Sequence, residues 1–168
     1  MVASPSSPRR GGAAGSRSRS RRAPRPRRPW PPRRDEARAA PVTDKTILII
    51  DNDEALVDVQ SFYFSEHGYT VYTALDGDEG VELAVRHRPA AIVCDVIMRN
   101  MHGFEVLQAL RRRPELTRTV VIMTSAKAYK GDIARALELG ATDYVVKPFR
   151  TDELLSAVER HLAAAREA

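Results

Sequence analysis

The chain is poor in the features that mark secreted and membrane proteins. Its 168 residues include one cysteine, Cys94, so no disulfide framework exists and a reducing, cytoplasmic location is expected. No apolar run approaches the ~20 residues of a membrane span, and the N-terminus has no hydrophobic stretch of the kind that a secretory signal needs. No glycine-rich phosphate loop follows the first apolar run, which disfavours dinucleotide and P-loop sites.

Charge is distributed unevenly along the chain, and the formal net charge of +5 hides this. Residues 1–41 hold 12 Arg, two acids and no Lys, hence +10, whereas residues 42–168 hold 15 Lys and Arg against 20 Asp and Glu, hence −5. Arg, Pro and Ser dominate the first part, and such a composition buries too little apolar surface to offset its chain entropy. We expect residues 1–41 to be a disordered extension and residues 42–168 to form one globular domain.

Two interpretations of this extension remain open. An Arg-rich arm could hold a phosphate backbone, which would make the protein a nucleic-acid-binding regulator. Alternatively, the arm is a solvated extension or results from a start codon placed too far upstream, because residues 42–45 would be a natural beginning just before the first strand. We favour the second interpretation and expect no nucleic-acid partner.

From residue 46 onward, short apolar runs alternate with segments of helical periodicity. The runs predict buried strands of a parallel sheet, over residues 46–50, 69–73, 90–95, 119–124 and 144–146. Gly68, Pro89 and Gly140 mark helix ends, and Thr151 is expected to cap the last helix. The spacing predicts inward-facing side chains in the first and fourth helices, namely Leu56, Val59, Tyr63, Ile133, Ala136 and Leu137.

Five strands that alternate with five helices through short loops predict an α/β fold with both faces of a parallel sheet covered. Right-handed crossovers favour the flavodoxin-like, doubly wound strand order 2-1-3-4-5. In that order the first and third strands are neighbours at the topological switch point, and the ligand crevice opens at their carboxyl ends. We therefore expect the chemistry at this edge of the sheet.

Polar residues follow four of the predicted strands at this same edge, namely Asp51-Asn52-Asp53, Asp95, Thr124-Ser125 and Lys147. Each alone could be a helix cap, a strand end or a surface lysine, but together they form a plausible constellation. Carboxylates from neighbouring strands make a site for a hard divalent cation such as Mg²⁺. A lysine and a hydroxyl beside a carboxylate suit the delivery of an anionic group. The set predicts transfer of a phosphoryl group onto Asp95.

Four stretches are specific enough to carry a family resemblance: ILIID at 47–51, CDVIM at 94–98, GFEVL at 103–107 and GATDYVVKPF at 140–149. On these motifs, residues 46–166 resemble the receiver domain of two-component response regulators. The resemblance implies that Asp95 is the phosphoacceptor and that Lys147 binds the phosphoryl group. It also implies a switch pair, Thr124 and Tyr144, a cis Lys147–Pro148 bond, and a Mg²⁺ site made by Asp51, Asn52, Asp95 and the backbone carbonyl of Ile97.

Two residues depart from the family pattern. The usual acidic pair is Asp51-Asn52 here, so an amide stands where the family ordinarily has a carboxylate that ligates the metal directly, and Mg²⁺ should bind more weakly. Asp53 is a candidate to compensate in part. Arg99 stands where the family usually has proline, and it brings a cation near the site, with an effect on phosphorylation that the sequence leaves open.

The resemblance predicts a stand-alone phosphoacceptor module of a phosphorelay rather than an enzyme, although the receiver promotes its own Mg²⁺-dependent phosphorylation and dephosphorylation. The expected partners are a histidine kinase or histidine phosphotransfer protein and a downstream target bound by the fourth helix, fifth strand and fifth helix. Homodimerisation through the last helices remains open. The alternative is a degenerate receiver that binds proteins without phosphorylation, as Asn52 suggests, and a small-molecule flavodoxin-like protein is disfavoured because no cofactor loop is present.

Overall fold

The computed structural model describes residues 45–167, so the predicted extension over residues 1–41 lies outside the described part of the chain and stays a prediction. The described strands are β1 (Thr46–Ile50), β2 (Thr70–Ala74), β3 (Ala91–Asp95), β4 (Val120–Ser125) and β5 (Asp143–Val146). The helices are α1 (Glu54–Glu66), α2 (Gly77–His87), α3 (Gly103–Arg111), α4 (Lys130–Glu138) and α5 (Thr151–Glu167), with one 3₁₀ turn at Pro114–Leu116. No helix within residues 45–167 is long and apolar enough to cross a membrane.

The strands form one sheet in the order β2-β1-β3-β4-β5, and all four pairings are parallel. This confirms the predicted flavodoxin-like α/β fold with its doubly wound, five-stranded sheet and five helices. Two pairings position the candidate site. β1 lies beside β3, and Asp95, the last residue of β3, is the register partner of Thr124 on β4. Their carboxyl ends therefore meet at one edge of the sheet.

Successive side chains of β1 alternate between the two faces of the sheet, and each face is covered by helices. Ile47 and Ile49 pack with α1 and α5, whereas Leu48 and Ile50 pack on the opposite face with residues of α2 and α3. All four side chains are fully buried. Because successive strand residues point to opposite faces, a strand that lies between two helical layers needs the uninterrupted apolar run seen in the sequence.

The predicted inner faces of two helices are partly wrong. In α1 the fully buried positions are Val57, Gln60 and Phe64, while the expected inward residue Val59 is 58% exposed. In α4 the expected inward residue Leu137 is 49% exposed. Apolar side chains lie on both faces of α1, so apolar spacing alone does not show which face is buried. Asp53 fixes where the helix begins, because its carboxylate accepts hydrogen bonds from the backbone N–H groups of the first turn.

The predicted cap of α5 is also wrong. Thr151 is the first helical residue, and the carbonyl of Arg150 accepts the first intrahelical hydrogen bond, from the N–H of Leu154. The Glu153 carboxylate in turn accepts a hydrogen bond from the N–H of Arg150. A carboxylate of the first turn therefore reaches back to the residue that precedes the helix. The predicted ends at Gly68 and Gly140 are confirmed by their positive φ angles of 82° and 96°.

Gly103 allows α3 to approach the end of β3. A Cβ atom at this position would lie 2.2 Å from the backbone oxygen of Asp95 and 2.7 Å from the Cα of Val96. The N–H of Gly103 donates to the Val96 carbonyl at 3.0 Å, which closes the loop of residues 97–102 beside Asp95. Only glycine fits this close backbone contact without displacing the strand end.

We expect Gly103→Ala to lower the free energy of unfolding by about 1–3 kcal/mol, because the added methyl group meets backbone atoms that cannot yield. Gly131→Ala in α4 is the matched control, since a Cβ there has nothing within 4 Å and alanine favours a helix by up to ~1 kcal/mol. Urea denaturation of both variants measures the difference. Equal stability changes would show that the Gly103 contact does not constrain the loop.

Candidate functional site

Two carboxylates and one ammonium group meet at the carboxyl edge of the sheet. Asp51 follows β1 and Asp95 ends β3, and they are only 3% and 5% exposed. The Nζ atom of Lys147, just after β5, lies 2.7 Å from Asp51 Oδ2 and 3.0 Å from Asp95 Oδ1. One lysine therefore bridges both acids across β4.

Backbone groups fix the orientation of each carboxylate. The N–H of Asp51 donates to the Ala74 carbonyl at 3.1 Å, and its Oδ1 accepts from the N–H of Asp53 at 2.9 Å. Asp95 Oδ2 accepts from the N–H of Ile97 at 3.1 Å. Each acid thus uses one oxygen for the backbone and the other for Lys147.

Strand pairing and the following turn position Lys147. Its N–H donates to the Ser125 carbonyl at 2.8 Å, which extends the β4–β5 pairing by one residue. The Lys147–Pro148 peptide bond is cis, as the family resemblance implied. The side chain reaches across the sheet edge to Asp95 at the end of β3 and Asp51 at the end of β1.

The pKa values of Asp95 and Lys147 are both shifted. Burial raises the pKa of Asp95, and although the hydrogen bond and charge of Lys147 act in the opposite sense, the net shift is upward. Burial alone would lower the pKa of Lys147, but its hydrogen bonds to Asp51 and Asp95 outweigh burial and the pKa is raised. Lys147 is therefore held in its charged form, which suits a residue that has to attract an anion.

The predicted switch residues lie beside this cluster. Thr124 is 1% exposed. It is the register partner of Asp95, so the two residues are direct neighbours on adjacent strands. Tyr144 lies on β5 opposite Met123, packs against the core with its ring, and donates its hydroxyl to the Lys127 carbonyl at 2.9 Å. Tyr144 is thus tied to the loop between β4 and α4.

The oxygen atoms at this site are of the type that a hard cation binds. They carry less negative charge than three carboxylates would provide. Asp51 and Asp95 supply carboxylates at the sheet edge, and the exposed Asn52 lies directly after Asp51. Asp53 does not replace the missing carboxylate, because it caps α1 at 3.1–3.2 Å from two N–H groups. Among residues 45–167 no group of three or more His, Cys, Asp or Glu side chains is placed to hold a metal ion.

Sequence reasoning placed the cluster correctly but missed two of its connections. The sequence predicts Lys147 only as a ligand of the phosphoryl group. In the structure its Nζ atom lies nearer to Asp51 than to Asp95. The tie between Tyr144 and Lys127 was also missed, because a tyrosine in a strand gives no indication of its hydroxyl partner. Only the packing of β5 against the β4–α4 loop reveals it.

One cleft lies away from this cluster. It measures about 530 Å³ and is lined by residues at the amino end of β4 and the end of α5, including Arg118 and His161. Arg111, also in its wall, donates to three backbone carbonyls, those of Leu116, Thr119 and Gly140. Arg111 therefore connects loops at the amino edge of the sheet, and its role in the wall of the cleft is structural.

Comparison with known proteins agrees with this fold. The sequence model described as the response regulator receiver domain matches residues 47–159, which is 113 of 168 residues. The chain therefore belongs to the receiver domain family of two-component response regulators.

Several solved structures are similar to it. The chemotaxis response regulator CheY4 of Vibrio cholerae shares 30% identity with a TM-score of 0.67, over 71% of this chain and 99% of that one. A CheY-like receiver domain protein from Methanospirillum hungatei JF-1 shares 27% identity (TM-score 0.68; 73% and 97% of the two chains). A receiver domain of a signal transduction histidine kinase from Syntrophus aciditrophicus shares 29% (TM-score 0.67; 74% and 94%). Receiver domains are signalling modules rather than conventional enzymes, and they generally bind Mg²⁺ at an acidic pocket.

Replacement of Lys147 by methionine should lower the free energy of unfolding by about 1–3 kcal/mol at pH 7, because two buried carboxylates lose their shared cation. The loss should shrink on acidification, since the pKa of Asp95 is raised and its protonation removes the repulsion. Thermal denaturation between pH 4 and pH 8 measures this.

Lys130→Met is the matched control for this change, because Lys130 is exposed at the start of α4. Its effect should be small and independent of pH over this range. An equal loss in both variants would mean that the bridge between Asp51 and Asp95 does not stabilise the folded protein.

Proposed function

We propose that this protein is a phosphoacceptor module of a two-component phosphorelay and that Asp95 receives the phosphoryl group. The observation that carries the proposal is the position of Lys147, whose ammonium lies 2.7 Å and 3.0 Å from the carboxylates of Asp51 and Asp95. A buried carboxylate flanked by a fixed cation and a strand-end hydroxyl has the parts that phosphoryl transfer to an acid needs.

The transfer step is an in-line displacement at phosphorus. A carboxylate oxygen of Asp95 forms the new O–P bond while the P–N bond of a donor phosphohistidine breaks. The imidazole nitrogen departs with the bonding pair and takes a proton from solvent. Lys147 and the Thr124 hydroxyl are the donors proposed to hold the phosphoryl oxygens, and the backbone N–H of Ile97 orients the carboxylate.

The residues proposed to hold Mg²⁺ are Asp51, Asn52, Asp95 and the carbonyl of Ile97. Oxygen donors of this kind suit a hard cation that keeps several waters, and the cation would neutralise charge on the phosphoryl oxygens. Asp51 and Asp95 carry two negative charges against one positive charge on Lys147, so the cluster retains a net attraction for a cation.

Asp95→Asn should reduce labelling by a small acyl phosphate in the presence of Mg²⁺ to background, because an amide oxygen is too weak a nucleophile to form the acyl phosphate. The fold should persist, since burial already disfavours the charged carboxylate at this position. Phosphate incorporation measured alongside circular dichroism tests both points. Asp58→Asn, on the exposed side of α1, is the control and should label normally; an acyl phosphate on the Asp95 variant would contradict the assignment.

Output is proposed to pass through a switch from Thr124 to Tyr144. Phosphorylation adds about −1.5 to −2 charges and three acceptor oxygens at the sheet edge, and these attract the Thr124 hydroxyl. The space vacated beside Thr124 can be filled by the ring of Tyr144, which must then release the Lys127 carbonyl. The surface of α4, β5 and α5 would change shape as a result.

This surface has the character of a partner-binding face. Tyr129 is 67% exposed, Leu137 is 49% exposed and Val146 is 37% exposed, and they belong to the region of α4 and β5. Tyr129 directly precedes α4 and Leu137 lies in its last turn, so an exposed apolar side chain stands near each end of this helix. We propose that a downstream protein binds here.

Thr124→Ala should leave Asp95 phosphorylatable but remove the response of this face, because the hydroxyl that senses the phosphoryl group is gone. In the unsubstituted protein, affinity for a partner should change by roughly 5–150-fold on activation, for a coupling of 1–3 kcal/mol. Amide exchange over residues 124–144, with and without phosphorylation, is the measurement. Thr73→Ala, exposed on β2, is the control; an unchanged response in the Thr124 variant would contradict the switch.

The proposed phosphodonor is a histidine kinase or a histidine phosphotransfer protein, and the proposed location is the cytoplasm. The family assignment supports the donor class. The single, buried cysteine of the chain supports a reducing compartment, because it leaves no disulfide to form within the chain.

A second candidate function is favoured by one observation, the amide at residue 52. A receiver with too few carboxylates to bind Mg²⁺ would act by binding proteins without phosphorylation. Labelling by a small phosphodonor at saturating Mg²⁺ separates the two functions. Incorporation on Asp95 of the unsubstituted protein supports the phosphoacceptor, and no incorporation in the unsubstituted protein supports the degenerate receiver. Incorporation restored by Asn52→Asp would show that the amide at residue 52 is the cause.

A further inference from the structure

The cleft at the amino edge of the sheet lies at the opposite end of the strands from Asp95, and the proposed function does not use it. Its walls come from the end of α3, the segment of residues 117–120, the turn before β5 and the last turns of α5. Its volume of about 530 Å³ is that of sites that hold small molecules. The described residues that line it include two arginines, Arg111 and Arg118, and no acid. The cleft therefore suits an anion.

Arg111 brings a positive charge to this cleft that no carboxylate balances. Its half-buried guanidinium donates to the carbonyls of Gly140, Leu116 and Thr119 at 2.8, 2.9 and 3.0 Å. These carbonyls fix the cleft wall but carry no net charge, and none of the ion pairs among residues 45–167 involves Arg111. Burial accordingly lowers the pKa of this guanidinium. Because a buried charge is ordinarily paired, an anion in the cleft would supply the missing partner.

Two side chains in the cleft wall have donors left for a ligand. Arg118 is exposed there, and its side chain makes no hydrogen bond or ion pair within the described part of the chain. The hydroxyl oxygen of Thr142 accepts from the N–H of Val121 at 3.1 Å and so keeps its own hydrogen for a second partner. A guanidinium donates two parallel hydrogen bonds to phosphate oxygens, and a hydroxyl adds a third.

Acidic residues near the cleft do not cancel this charge. Asp143 contacts His161 in the wall at 2.7 Å and also pairs with Arg160 at 3.1 Å. Burial acts to raise the pKa of Asp143, but its contacts with these two residues act in the opposite sense and the net shift is downward. This acid is thus ionised and already paired. Glu115 in the 3₁₀ turn and Glu138 at the end of α4 are exposed and do not line the cleft.

We propose that this cleft binds a small phosphorylated molecule of about nucleotide size. Arg118 and Thr142 hold its phosphate in the positive field of Arg111, and its uncharged part lies against Ala164 and Ala165 of α5, whose short side chains leave room for it. The site goes beyond the proposed function and is independent of it, since it uses no residue of the cluster around Asp95.

Backbone-amide NMR of the full chain, titrated with adenosine monophosphate (AMP) in a chelator, tests the site. The chelator excludes metal-dependent binding of phosphate beside Asp95. AMP should bind saturably and shift the amide signals of residues 117–120 and 161–165, and adenosine, which lacks the phosphate, should bind at least about 10-fold more weakly. No saturable shift, equal binding of adenosine, or shifts confined to the loops beside Asp95 and Lys147 would overturn the proposal and leave the proposed function untouched.

Two matched pairs of variants test the residues. Arg118→Gln should weaken AMP binding by about 10-fold or more, because it removes charge-assisted hydrogen bonds to the phosphate. Arg112→Gln, an exposed arginine just after α3 that does not line the cleft, should bind AMP like the unsubstituted protein. Ala164→Glu places an acid in the cleft wall and should weaken AMP binding far more than Ala163→Glu, the exposed neighbour outside the wall. Equal affinities within either pair would overturn the proposal.

Discussion

One ammonium group holds two buried carboxylates at the same edge of the sheet, and the site depends on this contact. Each carboxylate alone would cost several kcal/mol to bury, yet Asp51 and Asp95 are 3% and 5% exposed. Lys147 offsets this cost at 2.7 Å and 3.0 Å and leaves one net negative charge. Asp51 and Asp95 therefore stay buried at one sheet edge because Lys147 contacts both of them.

Sheet topology makes this contact possible. β1 and β3 are neighbours because the chain reverses its winding direction between them, and β4 and β5 extend the sheet on the far side of β3. The carboxyl ends of all these strands therefore face one crevice. Gly103 then brings α3 against the end of β3, and the loop before it surrounds Asp95. Residues that are far apart in the sequence thus meet around Asp95.

The sequence predicts the strands, their order and the position of Asp95 well, because five apolar runs ending in polar residues have few alternative arrangements. It predicts helix faces less well: α1 carries Val59 and Phe62 on its solvent side, 58% and 63% exposed, so apolar spacing does not show which side is buried. The bridge from Lys147 to Asp51 and the hydrogen bond from Tyr144 to Lys127 depend on side-chain directions across non-consecutive strands. Local sequence carries no information on such contacts.

The most direct test of the account is to locate the phosphoryl group on the unsubstituted protein. After brief exposure to acetyl phosphate and Mg²⁺, the acyl phosphate is trapped by borohydride reduction, and the modified residue is identified by peptide mass spectrometry. The account predicts modification of Asp95 alone, because among residues 45–167 only this carboxylate combines Lys147 with the neighbouring Thr124. Modification at Asp51 or at another carboxylate instead would contradict it.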